Sequence, residues 1–150
     1  MKLIVAKSSL AGSVEIPGSK SHTIRAVAIA SLAGGTSTIR KPLVAADTMA
    51  AVNAYGLLGA GITRPDEWII NGVGGRPRVP DNVIDVANSG TTLYVALGSA
   101  ALVDGVTIFT GDDQIRRRPA QPLIDALNAL GAKVESTRGN GMAPIIVRGP

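Results

Sequence analysis

The sequence predicts a mixed α/β chain built from two copies of one β-α-β-α-β-β unit. Three observations lead there. Strand-like and helix-like stretches alternate along the chain. Two word pairs recur in the same order: Val27-Ala28-Ile29-Ala30-Ser31 is echoed by Val95-Ala96-Leu97-Gly98-Ser99, and Leu58-Gly59-Ala60-Gly61-Ile62 by Leu130-Gly131-Ala132-Lys133-Val134. Glycine punctuation falls at matching places, which gives a repeat of roughly 70 residues.

In the first copy, Val14-Glu15-Ile16 reads as a strand. A helix follows over about 19–33, with Ile24, Val27, Ala28 and Leu32 on one stripe, and Gly34-Gly35 ends it. Thr36-Ser37-Thr38-Ile39 reads as a strand. Asp47 is expected to cap a second helix that runs to Leu58 and stops at Gly59. Short strands follow near 60–63 and 68–71. In the second copy the order is a strand at 83–86, a helix over about 89–103 and a strand at 106–109. A helix from Pro119 to Leu130 comes next, because proline suits a first turn. Strands near 132–135 and 144–148 close the unit. A repeat of this kind cannot bury all its faces alone, so neighbouring units must pack together. The connector Gly72-Val73-Gly74-Gly75-Arg76-Pro77-Arg78-Val79-Pro80 holds a Gly-x-Gly, but prolines follow it and no helix does. It is therefore not a dinucleotide fingerprint, and no P-loop pattern occurs.

Composition bounds the chemistry. Hydrophobic residues are 45% and charged residues 17% of the 150, the profile of a globular domain rather than a disordered one. With one Trp, one Phe and two Tyr, the core must be aliphatic; Trp68 reads as packing. The absence of cysteine removes disulfides, thiolate zinc sites and cysteine nucleophiles, and one histidine excludes a multi-histidine metal site. The opening MKLIVAKSSLAG has too short an apolar run for a signal peptide, and no stretch approaches ~18 uninterrupted apolar residues. A cytoplasmic protein is the expectation. The net charge of +4 favours anionic partners. Aromatic residues interleaved with basic ones, which single-strand binders use for stacking, are missing.

Three runs carry chemistry. The first is Pro17-Gly18-Ser19-Lys20-Ser21-His22-Thr23-Ile24-Arg25. It opens a helix whose first N–H groups have no internal partners, a setting that holds anions. Lys20 adds a point charge, Ser21 a hydroxyl, and Arg25 lies one turn on along the same face; ordinary capping with solvated basic residues is the plain alternative. The second is Asn88-Ser89-Gly90-Thr91-Thr92, a polar, glycine-bearing helix start at the equivalent place. Gly90 permits close approach to the backbone, Asn88 can donate or accept, and a simple Asn or Ser cap is the alternative. The third is Gly111-Asp112-Asp113-Gln114-Ile115-Arg116-Arg117-Arg118-Pro119. Arginine forks match carboxylate and phosphate oxygens. Arg118, fixed beside Pro119, is best placed and Arg116 next; a solvated charged face is the alternative. His22 reads as a polar first-turn residue rather than a general base, and Asp112 and Asp113 as charge partners or caps.

These runs, in this order and spacing, resemble the enolpyruvyl transferases, and among them the EPSP synthase family, over nearly the whole chain. The resemblance implies two similar domains, each of three β-α-β-α-β-β units about a pseudo-threefold axis; two of those six units lie here. It divides the chain into 1–16, expected to pack with a second domain, a first unit at 17–76 and a second at 77–150. The third unit of the first domain and most of the second domain are expected elsewhere.

The implied reaction moves the carboxyvinyl group of phosphoenolpyruvate to the 5-hydroxyl of shikimate 3-phosphate, through a tetrahedral ketal, with release of phosphate. It implies neither metal nor organic cofactor, and neither nucleic acid nor membrane as a partner. By the same resemblance Lys20 touches both substrates, Ser21 and Arg25 hold shikimate 3-phosphate, Gly90 with Asn88 lies against phosphoenolpyruvate, and Arg118 pairs with its anionic groups. Ser89, Tyr94 and Gln114 depart from the family's usual residues, which bears on phosphoenolpyruvate affinity and glyphosate response. Three rivals differ in class: a UDP-N-acetylglucosamine enolpyruvyl transferase, an anion- or RNA-binding relative without catalysis, and a purely structural repeat. The first typically has a loop cysteine and a Lys-Asn pair, which are missing here.

Overall fold

A computed structural model describes residues 3–149. The first helix, α1 (Lys20–Leu32), starts at an N-cap serine, Ser19, whose hydroxyl accepts the His22 N–H. It buries Thr23, Ile24, Val27, Ala28 and Ser31, the three-and-four spacing of one helical face. The chain then runs through β1 (Gly34–Ile39), α2 (Ala46–Leu57), β2 (Gly61–Thr63) and β3 (Trp68–Val73). The second half follows as β4 (Ile84–Asp85), α3 (Gly90–Ala100), β5 (Val106–Thr110), a 3-10 turn at Ile115–Arg117, α4 (Gln121–Ala129), β6 (Lys133–Ser136) and β7 (Ile145–Arg148).

Two sheets result. One has the order β1-β3-β2, all antiparallel; the other has the order β4-β5-β7-β6, with β4 parallel to β5 and the rest antiparallel. Setting β1, β3 and β2 against β5, β7 and β6 matches order and direction throughout. Helices α2 and α4 also end alike. Leu58 and Leu130 cap them, Gly59 and Gly131 take φ of 111° and 100°, and the next N–H reaches back to the Tyr55 and Leu127 carbonyls. Glycine is required there because other residues resist that left-handed conformation.

Burial corrects the alignment of the first word pair. Ile29 is 71% exposed where the echo sets it beside fully buried Leu97. Moving α1 by 69 positions instead puts Thr23, Ile24, Val27, Ala28, Ala30 and Ser31 on Thr92, Leu93, Ala96, Leu97, Ser99 and Ala100, all buried. The echo is one residue out of step, because small residues repeat easily in a helix face that packs closely.

Three further expectations change. Residues 14–16 form no strand; Ile16 is 78% exposed, and Glu15 to Gly18 lie against residues 41–43, past the end of β1 instead of beside it. An extended segment without a ladder partner is not a strand. Ala45, not Asp47, is the N-cap of α2; Thr48 supplies the missing side chain by accepting the Ala45 N–H at 3.0 Å and donating to the Leu43 carbonyl at 2.8 Å. Helix α4 begins at Gln121 with Pro122 in its first turn, so Pro119 lies outside it.

One aliphatic core runs through both units, from Ile24, Val27 and Ile70 to Leu93, Phe109 and Ile145, with Trp68 packed into it. Helix α3 seats against α1 and α2, and buried Tyr55 on α2 meets Ser99 on α3 at 2.7 Å. Burial pushes the Tyr55 hydroxyl pKa up, with the Ser99 bond opposing it in part. By contrast α4 buries only Ile124 and Leu127 and packs on β6.

Candidate functional site

The chemistry-bearing runs sit where the N-termini of α1, α2 and α3 come together. At the tip of α1, residues 41–43 cross Gly18 so closely that a Cβ there would lie 2.6 Å from the Lys41 carbonyl oxygen. Glycine is what lets the chain enter α1 at this point. Lys20, the first helical residue, points its ammonium at the Asp47 carboxylate in the first turn of α2, 2.7 Å away. The pair is half open to solvent, with side-chain exposures of 51% and 23%. Pairs of this exposure contribute about 0–1 kcal/mol, so the contact aims Lys20 more than it stabilises the fold.

The second run joins the same place through Asp47. Thr92, in the first turn of α3, donates from its hydroxyl to the Asp47 carbonyl at 3.3 Å. Ser89, the N-cap of α3, donates from its hydroxyl to Thr92 Oγ1 at 2.7 Å and accepts the Thr92 N–H at 3.3 Å. Gly90 is buried directly after it. The Arg118 guanidinium lies across Gly90, where a Cβ would fall 2.8 Å from Arg118 Cζ. A continuous path of contacts therefore runs from the Lys20 ammonium to the Arg118 guanidinium.

The third run is tied to the second by Asn88, whose amide donates to Asp112 Oδ2 at 2.7 Å. The other carboxylate oxygen of Asp112 accepts the Gln114 and Ile115 N–H groups at 3.0 Å each. The Ile115 N–H is the main reason the Asp112 pKa lies below its ordinary value, with Asn88, Gln114 and the Arg116 charge adding to it. Arg116 is spent on the Gly111 carbonyl and on Asp113, and Arg117 bonds the Asp113 carbonyl at 3.0 Å. Among the described residues, no carboxylate or carbonyl partners the Arg118 guanidinium. Preceding Ala87 has φ of 49°, uncommon for a residue with a side chain; the Asp85 carboxylate holds its N–H at 2.8 Å.

Each expected site residue can now be located. Lys20, Gly90 and Arg118 lie along the contact path, and Asn88 ties it to the third run. Ser21 and Arg25 lie one turn apart on α1, exposed, with Arg25 donating to the Ser21 carbonyl at 3.1 Å. His22 is exposed in the first turn, and Asp112 and Asp113 serve as cap and charge partner. Arg118 sits at the end of the 3-10 turn, not at a helix start as expected. The residue missed is Asp47. The sequence marked it only as a cap, because the partner that reveals it, Lys20, lies 27 residues away.

A cavity of about 590 Å³ lies elsewhere, between α2, β2 and β4, lined by Val52, Asn53, Leu57, Arg64 and Asp85 among others. Among the described residues no group of three His, Cys, Asp or Glu side chains could hold a metal ion.

Comparisons agree on one family. The model of EPSP synthase (3-phosphoshikimate 1-carboxyvinyltransferase) matches residues 4–150. Proteins named 3-phosphoshikimate 1-carboxyvinyltransferase from Ruminiclostridium cellulolyticum and Acetivibrio thermocellus are 52% and 53% identical over 150 residues, covering 99% of this chain and 36% of each relative. The crystal structure of EPSP synthase from Acinetobacter baumannii superposes with a TM-score of 0.86 at 28% identity, over 92% of this chain and 32% of that one. The chain thus spans about a third of the length of the relatives it matches. It belongs to the EPSP synthase family.

Proposed function

We propose that this chain forms part of an enzyme that transfers the carboxyvinyl group of phosphoenolpyruvate to the 5-hydroxyl of shikimate 3-phosphate. The observation that carries the reading is the contact path from Lys20 through Asp47, Thr92 and Ser89 to Gly90 and Arg118. The path links two cationic groups borne on different units, which supports a site where two anionic substrates meet. The shared name of the relatives supports the same reading.

In this reading Ser21 and Arg25 hold shikimate 3-phosphate. Lys20 lies between the substrates and offsets their mutual repulsion. Arg118 pairs with the anionic groups of phosphoenolpyruvate above Gly90, with Asn88 beside it. Preorganised positive charge lowers the cost of bringing the anions together and stabilises charge as the ketal forms and phosphate leaves. Residues 17–76 and 77–150 act as two units of one domain. Residues 1–16 pack with a second domain that completes the site, no organic cofactor takes part, and the enzyme works in the cytoplasm. None of the described helices is long and apolar enough to cross a membrane.

The test is phosphate release from phosphoenolpyruvate, with shikimate 3-phosphate or UDP-N-acetylglucosamine as acceptor. It is run on the protein at the full length of its relatives and on this chain alone. We expect turnover only at full length and only with shikimate 3-phosphate. Turnover with the sugar nucleotide instead would overturn the proposal, and turnover by this chain alone would overturn the need for a second domain.

A further inference from the structure

Helix α3 touches the Arg118-Pro119 segment at two points one turn apart. At Gly90 the missing side chain leaves room for the guanidinium, and at Tyr94 the phenol donates to the Pro119 carbonyl at 2.8 Å. Residues four apart on a helix share a face, so both contacts fall on one side of α3. From this geometry we propose that Tyr94 is a positioning residue: it fixes the backbone at Pro119 and thereby aims Arg118 across Gly90. The proposal rests on the reading of Arg118 as the partner of phosphoenolpyruvate.

The Arg118 guanidinium lies in the space that Gly90 leaves open, so its place depends on that gap and on where the backbone starts the side chain. Arg118 is extended, at φ −83° and ψ 122°, as the residue before a proline prefers. The proline ring fixes φ at Pro119. The next peptide is held at both ends: its N–H, on Ala120, donates to the Gly141 carbonyl at 2.7 Å, and its carbonyl, on Pro119, accepts the Tyr94 phenol. The tyrosine ring is half-buried against the core, at the edge of a niche of about 360 Å³ that it lines with Pro119, Ala120, Pro122 and Leu123. Its hydroxyl proton is committed to a carbonyl, so the role is to orient and not to transfer protons. Phenylalanine would keep the ring in that niche and lose only the tether.

The experiment is a double-mutant cycle in the full-length enzyme with Tyr94→Phe, Arg118→Ala and both together. Removing one neutral hydrogen bond predicts a rise in KM for phosphoenolpyruvate of about three- to tenfold for Tyr94→Phe. We expect kcat to change by less than about twofold and KM for shikimate 3-phosphate to stay as it was. The tether has nothing to aim once the guanidinium is gone, so the double variant should be no worse than Arg118→Ala alone. A merely structural tyrosine would move both KM values, or add its full effect in the Arg118→Ala background; either result overturns the proposal. So does a Tyr94→Phe enzyme with parental kinetics, in which case Arg118 keeps its role provided Arg118→Ala raises KM for phosphoenolpyruvate. If Arg118→Ala leaves that KM unchanged, the underlying assignment of Arg118 fails and this proposal with it.

Discussion

The two units begin their first helices alike and finish the tips differently. In both, a serine N-cap accepts the N–H three residues on: Ser19 from His22, Ser89 from Thr92. In the first unit the tip carries a long ammonium side chain steered by a carboxylate from the next helix. In the second it carries a glycine, and the cation arrives from a distant turn in the form of Arg118. One architecture thus presents positive charge in two ways, once from the helix itself and once across it. Duplicated scaffold and divergent tips are separable: the scaffold follows burial and caps, while each tip follows the residue that replaces or removes a side chain at one position.

The equivalence of the scaffolds can be broken in the core. Ile24 and Leu93 are fully buried at matching positions of α1 and α3. We expect Ile24→Ala and Leu93→Ala each to lose about 2–5 kcal/mol of stability, and to agree within about 1.5 kcal/mol. Urea unfolding of the full-length protein checks this, and a larger gap would mean that the two helices do not hold equivalent places. A smaller effect sharpens the difference between the tips. Gly90→Ala puts a methyl where the Arg118 guanidinium lies. Displacing a charged hydrogen-bond donor predicts a rise in KM for phosphoenolpyruvate of about ten- to a hundredfold, with the protein still folded; unchanged kinetics would show that the guanidinium acts elsewhere.

The smallest effect is one of pH. The pKa of Asp112 is lowered in the folded state, so its contribution is present above the ordinary carboxylate value and is lost as pH falls through the lowered one. The Gln114 and Ile115 amide resonances should therefore shift with a midpoint below about pH 3.9. A midpoint at or above that value would separate Asn88 and the third run from the carboxylate that joins them.

Local signals were legible in the sequence. Gly59 and Gly131 marked helix stops because left-handed backbone favours glycine, and the Ser89 cap was readable from its type and place. The three runs were also readable, since helix starts with glycine and basic residues have few structural reasons to recur. What escaped depends on distance along the chain. The pairing of Lys20 with Asp47 spans 27 residues, and the contact of Arg118 with Gly90 spans a helix, a strand and a turn. Residues 14–16 carry a strand pattern, yet forming a strand needs a neighbour that a pattern cannot supply. The start of α4 was misplaced because Pro119 and Pro122 both suit a first turn, and only packing selects between them.

The bond from Thr92 to the Asp47 carbonyl, described above as one step in a path, has a mechanical consequence. It fastens α2 to α3 at the end where both cations are displayed, while Tyr55 and Ser99 fasten the same two helices further along. Pinned twice, the pair behaves as a rigid bar. What the bar spaces is Asp47 and Gly90, the points against which the ammonium and the guanidinium rest.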